Sequence, residues 1–424
     1  MVVKVISEKK INKLIEVVNR KTEKANRYFL EEIGKSIKEI KQLTPSEAHK
    51  LVQMLKYGSK YQDILVELSN ITKISKKDLE KIYSNYARND TNFYKNFYKY
   101  RNKPFIPFDE NIALKRQTTA LAELSHGKLK SYARTKALGY SFKDYDGVVR
   151  FHGLKQTYDR VLDEAVLNIS QGKESFDASM MRILNEIGSS GLKTLDYESG
   201  RTYRLDSAIE MHLRSAMNNL HNENQKIIAK DIKADGVEIS VHLNPAKDHE
   251  EVQGRQFTTN KYDDKGKLIE EGEWEKLQKG EEAKDYQGNS YSLVKSNTGS
   301  YRPISEYNCY HYVFAIILGV SRPVYTDKEL KDIIKKNNDG FVFEGVHYTN
   351  YQGTQLQRTI ERKIREQQDI QLLARESNNF DMELKSQKTM NELLKKYKDL
   401  SKASKLPMNT RKLSTYDYRY KKVA

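Results

Sequence analysis

Gly236-Val237-Glu238-Ile239-Ser240-Val241-His242-Leu243-Asn244-Pro245 is where the chain changes its apolar rhythm. Val237, Ile239 and Val241 alternate with Glu238, Ser240 and His242, which sends the two sets to opposite faces of a strand. The preceding segment, from about Leu205 to Ala234, repeats at helical spacing instead, with Leu205, Ala208, Ile209, Leu213, Ala216, Met217, Leu220, Ile227 and Ile228 on one side. Its other side carries Arg214, Asn218, His221 and Asn222 and reads as facing solvent or a protein neighbour. A long helix feeding a short strand, in a chain where helical spacing dominates, gives an α+β fold that is predominantly helical.

Upstream, residues 1–103 read as an N-terminal helical bundle. Thr44-Pro45-Ser46-Glu47 is a helix start, with a capping threonine, proline at the first helical position and a capping-box glutamate. Leu51, Met54 and Leu55 follow as its buried stripe, and Ser75 to Asp78 starts another helix carrying Leu79, Ile82 and Tyr83. Tyr94 to Lys103 interleaves aromatic and basic residues; such a segment either stacks bases and neutralises phosphates or packs its rings inward and leaves its lysines wet, and the second is the commoner arrangement. Pro104 and Pro107 mark a boundary. From Asp109 to Gly236 there is no proline, so 109–234 reads as a long-helix region of uninterrupted helices. Leu154 to Ile169 makes one apolar face, Ser175 can cap the next helix, and Met180, Met181, Leu184 and Ile187 lie inside it. Gly200 turns a hairpin between Leu192 and Leu205.

Downstream, residues 235–350 read as a small α+β domain. Residues 258–289 are an exposed insertion anchored by Trp274, and Thr326 with Glu329 is a second capping box. Residues 351–424 read as a charged helix and a basic tail. Ile360, Ile364, Leu372 and Leu373 form a narrow seam suited to another helix, including one from a partner chain. From Ser401 onward there are seven basic residues and one acidic. Lys402, Lys405, Arg411, Lys412, Arg419, Lys421 and Lys422 are therefore candidate contacts to a polyanion, double-stranded DNA above all.

The whole chain carries 74 basic and 58 acidic residues for a formal charge of +16, which favours a polyanionic partner or serves solubility alone. Its single cysteine excludes an intramolecular disulfide framework and suits folding in a reducing cytoplasm. No secretory signal and no apolar run of membrane-spanning length is legible, so no membrane partner is expected.

Chemistry concentrates in two clusters. The first holds His242, Pro245, His249, Gln253, Gly254 and Arg255; the second holds Tyr307, Asn308, Cys309, Tyr310, His311 and, further on, Phe314, Gly319 and Ser321. One thiolate and three imidazoles, from His242, His249, Cys309 and His311, can complete a tetrahedral zinc shell, although the closely paired ligands of zinc fingers are absent. Cys309 can also act as a nucleophile with a histidine base, but no oxyanion-hole motif accompanies it. The favoured reading has His242, Asn308 and His311 hydrogen bonding to buried backbone groups, with Cys309 as a small buried hydrophobe.

These motifs resemble those of the phage minor capsid protein 2 family, relatives of the phage Mu F-like minor head proteins. That family has a strand ending in histidine, then proline, a second histidine, a Gln-Gly pair and an Asn-Cys-x-His motif, matched here by His242, Pro245, His249, Gln253, Gly254, Asn308, Cys309 and His311. Tyr197, Ser199, Gly200 and Arg201 resemble the turn before its long helix, and Gln355 to Arg365 its closing helix, so residues 190–370 carry the likeness best. Val252 stands where the family has tryptophan, and Tyr310 where it has arginine. The resemblance implies a minor structural protein of a tailed-phage or prophage head, made in the host bacterial cytoplasm and located in the virion, in the head interior or at the portal vertex. Head assembly or DNA packaging is the implied role, with the portal protein, other head proteins and double-stranded DNA as partners and passage out with the DNA as an extension. It implies no enzymatic activity. A DNA-binding accessory protein of the packaged genome and a cysteine- or metal-dependent enzyme are the alternatives.

Overall fold

The computed structural model describes residues 8–144, 146–171, 176–196, 199–292, 304–305, 309–409 and 413. The order begins α1 (Glu8–Lys41), α2 (Pro45–Tyr57), α3 (Ser59–Thr72), α4 (Lys76–Phe93), α5 (Lys95–Tyr100) and α6 (Ile112–Tyr132). It continues with β1 (Leu138–Lys143), β2 (Val149–Gly153), α7 (Leu154–Gln171), α8 (Phe176–Ser190), β3 (Lys193–Leu195), β4 (Thr202–Arg204) and α9 (Leu205–Ile232). Then come β5 (Gly236–Ile239), β6 (Gln256–Thr258), β7 (Lys261–Tyr262), β8 (Leu268–Glu270), α10 (Glu273–Gln278), β9 (Ala283–Lys284), β10 (Ser290–Tyr291) and β11 (Val313–Ile316). The last elements are α11 (Asp327–Asp339), β12 (Phe341–Phe343), β13 (Val346–Tyr348), α12 (Asn350–Glu376) and α13 (Phe380–Ser404). The fold is α+β and predominantly helical, as the periodicity indicates. Among the described residues no helix is long and apolar enough to cross a membrane.

The chain forms two compact units. One comprises Met1–Leu14, Ser75–His126 and Met211–Thr354; the other comprises Ile15–Ile74, Gly127–Glu210 and Gln355–Ala424. The chain passes from one to the other within α1, α6, α9 and α12 and between α3 and α4.

In the first unit a three-stranded antiparallel sheet has the order β11-β5-β6, with β5 in the middle. Val237 and Ile239 pair with Ala315 and Val313 and turn toward a cluster of Val252, Phe257, Leu277, Ala283, Ile304 and Cys309. Phe314 and Ile316 turn the other way, against Tyr94, Phe97 and Tyr98 and against Ile228 and Ile232 of α9. Tyr94, Phe97 and Tyr98 therefore pack inward while Tyr100, Lys95 and Lys99 stay exposed. Alternation along β5 does not separate buried from wet, because both faces of the sheet are covered. Glu238 is buried, accepts from Gln256 Nε2 at 2.8 Å and from the Val324 backbone N–H at 3.2 Å, and has its pKa raised by that burial. The 258–289 insertion is exposed along β7 and β8, and Trp274 and Leu277 tie it to the core. Thr326 and Glu329 form the expected capping box.

In the second unit β1 to β4 form one antiparallel sheet of order β2-β1-β3-β4. The reading of 109–234 as long helices with one hairpin between Leu192 and Leu205 lacks the β1–β2 hairpin, because absence of proline permits a helix but does not require one. Phe29, Tyr140, Tyr61 and Tyr158 build the aromatic core, with Phe29 and Tyr140 stacked at 5.6 Å. On α2 the buried stripe is Ala48, Val52 and Leu55, and Met54 faces out, 69% exposed. Ser175 lies outside the described residues. Helices α12 and α13 run antiparallel, tied by Gln357 to Ser401 at 2.9 Å, Tyr397 to Glu361 at 2.7 Å and Gln371 to Gln387 at 2.5 Å. Ile360, Ile364, Leu372 and Leu373 are buried inside this unit, so their seam is filled within the chain.

A charged cluster lies in the same unit around a small cavity lined by Glu23, Asn26, Arg204, Asp206, Arg365 and Asp369. Arg365 donates to Asp206 at 2.5 Å and Asn26 Nδ2 to Asp369 at 3.0 Å. Burial pushes Asp206 up, but Arg204 and Arg365 outweigh it and hold the carboxyl at about 2. Burial, reinforced by the Asp206 charge, raises Glu23 from 4.5 to about 7.

Candidate metal centre

The loop after β5 folds back to begin β6, and that return positions the first cluster. Gly254 has φ of +73°, which glycine adopts without strain, and its N–H donates to Ile239 O at 2.8 Å. A Cβ there would meet Leu330 Cδ2 at 2.5 Å and Val241 Cγ2 at 2.8 Å, so the Gln-Gly pair needs glycine for space as well as angle. The next residue, Arg255, is buried and ion-pairs with Asp327 and, at 3.7 Å, with Asp285. Gln253, 1% exposed, is placed so that its Oε1 accepts the His242 backbone N–H at 2.7 Å.

The second cluster leads into β11 and is held by α9. Asn218 Nδ2 donates to Cys309 O at 3.0 Å, and Ser240 and Tyr312 bond reciprocally at 2.8 Å, which fixes the register between the two clusters. His221 Nε2 meets Val313 O at 2.9 Å and its Nδ1 meets Asp90 Oδ1 at 3.1 Å. The polar face of α9, read as facing solvent or a protein neighbour, meets the chain's own cysteine loop and sheet at Asn218 and His221. Spacing flags both residues, but a polar helical stripe alone carries no signal for what covers it. Asp90, on α4, gives no signal at all.

Sixty residues apart in sequence, the clusters meet at Cys309. Its Sγ lies 3.6 Å from His249 Nδ1 and 3.4 Å from His311 Nδ1, and His311 N donates to it at 3.5 Å. All three side chains are buried. The far side of each imidazole is also held, His311 Nε2 by Gln253 Oε1 at 3.1 Å and His249 Nε2 by Asp248 Oδ2 at 3.8 Å. His242 stands outside this trio: its ring is 6.2 Å from that of His311 and 5.6 Å from Tyr310, and its Nδ1 accepts from Asn244 N at 3.3 Å. Tyr310, where the family has arginine, lies under the guanidinium of Arg214 at 4.8 Å, so a positive charge from α9 stands beside that position.

Of the remaining candidates, Phe314 is core and Ser321 accepts from Ile317 N at 3.1 Å beside Gly319, whose φ is +75°. Tyr307 and Asn308 lie outside the described residues, as do Arg411, Lys412, Arg419, Lys421 and Lys422. Lys402 and Lys405 are exposed at the end of α13.

Comparison with curated proteins and with solved structures gave no match. The family described as phage minor capsid protein 2 matches residues 7–400, so the likeness extends well beyond the motif region and through both units. The chain belongs to the phage minor capsid protein 2 family and is thus a minor structural component of a phage head, with other head proteins as its partners.

Proposed function

We propose that the protein is built in few copies into the portal vertex of the head, acts in head assembly or DNA packaging, and turns its basic C-terminal segment toward the packaged double-stranded DNA. The observation that carries this reading is charge placed on a capsid-family chain: +16 overall, with seven basic residues against one acidic from Ser401 onward. A contact of that kind is loose and tolerant of sequence, which suits a protein that holds DNA during packaging and can leave with it. Burial of Cys309 supports a structural part for the His/Cys cluster, since a nucleophilic thiol works from a partly exposed site.

Quantitative mass spectrometry of purified DNA-filled particles tests the proposal, with peptide amounts referred to the portal protein. A low, fixed ratio to the portal, and crosslinks to it, are expected. Absence from clean particles while the protein is abundant in the lysate would overturn it and favour an accessory DNA-binding role.

A further inference from the structure

We propose that His249, Cys309 and His311 bind one divalent transition-metal ion of the zinc class, through the Cys309 thiolate and the Nδ1 atoms of both histidines, as a structural clamp at one end of the core sheet, between the β5–β6 return loop and the segment that enters β11. The inference stands on the site's geometry and does not depend on where in the particle the protein resides.

Spacing is the first ground. Zinc bonds of roughly 2.3 Å to sulfur and 2.0–2.1 Å to nitrogen at a tetrahedral angle place sulfur and nitrogen about 3.6 Å apart. The two Sγ–Nδ1 separations are 3.6 and 3.4 Å, and the three ligand atoms lie within 4.8 Å of one another.

Proton placement is the second. Gln253 Oε1 accepts the His242 backbone N–H, which can only donate, so this amide presents oxygen and not NH₂ to the site. The same oxygen faces His311 Nε2, so Nε2 carries the proton and the Nδ1 lone pair points at sulfur. Asp248 favours the same tautomer for His249, because a carboxylate beside Nε2 calls for the proton there. Two imidazole lone pairs thus converge on one sulfur. A single S–H proton serves one of them at a time, whereas a cation takes both together with the thiolate. The Gln253 oxygen behind His311 Nε2 is the outer support that metal-bound histidines ordinarily have, and Asp248 Oδ2 stands behind His249 Nε2 at the longer distance of 3.8 Å. Burial of all three ligands fits a structural role, with the fourth position of the tetrahedron left to a water or other small ligand.

The test uses the full chain without an affinity tag, stripped with chelator and titrated with cobalt(II) and zinc(II). One equivalent of cobalt should bind with a thiolate-to-cobalt charge-transfer absorption, zinc should displace it, and chelation should lower Tm by more than about 5 °C. Cys309→Ser should abolish the charge-transfer band and weaken binding at least 100-fold, His249→Gln should weaken it comparably, and His242→Ala should leave one equivalent bound. If Cys309→Ser does not fold, the wild-type titration still decides. A folded wild-type chain that binds less than a tenth of an equivalent, or binds cobalt without a thiolate band, would overturn the proposal.

Discussion

Asp90 is surrounded by donors: His221 Nδ1 at 3.1 Å, Asn224 Nδ2 at 2.5 Å and Gln225 Nε2 at 3.4 Å. Gln225 is oriented by its own oxygen, which accepts from Ala315 N at 2.9 Å and from the Tyr94 hydroxyl. His221 meets an acceptor at each ring nitrogen, Asp90 Oδ1 and Val313 O, in a site where it and Asp90 are almost fully buried. Removing Asp90 leaves the buried side chains of His221, Asn224 and Gln225 without their shared acceptor; Asp90→Ala should cost about 2–4 kcal/mol in urea unfolding, and an effect below about 1 kcal/mol would show that the network contributes little. Glu23 is a carboxyl favoured in its neutral form. The unfolded chain releases this proton near 4.5 and the folded protein keeps it to about 7, so stability on this account is greatest below 4.5 and falls as pH rises toward 7. Glu23→Gln should flatten that slope and stabilise the protein at pH 8 by on the order of 1–3 kcal/mol; an unchanged pH profile in thermal unfolding would count against it. Neither network is legible in the sequence, because a buried charge announces itself only once its partners, here more than a hundred residues away, are known.

Helices are legible wherever local chemistry sets them. Thr44 and Thr326 cap as expected because the whole device, hydroxyl, backbone N–H and glutamate, lies within one turn. The β1–β2 hairpin escapes a sequence reading because its stabilising partners lie across the sheet, and Met54 is chosen over Val52 because four apolar residues in five, Leu51, Val52, Met54 and Leu55, fit more than one helical face. The His/Cys cluster is recognisable by residue type, and Cys309 with His249 and His311 does come together. That His242 stands apart, and that Gln253 sets a tautomer, depend on how the return loop is folded. A tighter device joins α8 and α12. A Cβ on Gly188 would meet Ile370 Cγ1 at 2.5 Å and the Ile370 backbone N at 2.9 Å, and backbone cannot swing aside. Alanine favours a helix interior by about 1 kcal/mol over glycine, so the sign of Gly188→Ala reports which effect wins. A net destabilisation of about 1–3 kcal/mol is expected from overpacking, and a gain in stability would show that the helices can part.

At the scale of the whole molecule, charge sets the behaviour toward nucleic acid. Deleting residues 410–424 removes Arg411, Lys412, Arg419, Lys421 and Lys422 and a single acid, Asp417. The slope of log K against log salt for duplex DNA should become shallower by about 0.9 for every phosphate that the deleted segment neutralises; an unchanged slope would place the DNA-binding surface elsewhere. Residues up to Asn409 are better kept, since the Asn409 N–H donates to the Tyr397 hydroxyl at 3.0 Å. The interleaving of the two units has a consequence for synthesis. Neither is a continuous segment: the first waits for residues 211–354 before its sheet exists, and the second waits for α12 and α13, which follow its other elements in the chain. A growing chain therefore emerges from the ribosome with apolar faces of α1 to α9 exposed and no finished unit to shelter them. Closure runs through pairings distant in sequence, the slow kind, so the time for which those faces stay uncovered is the expected weak point in making this protein.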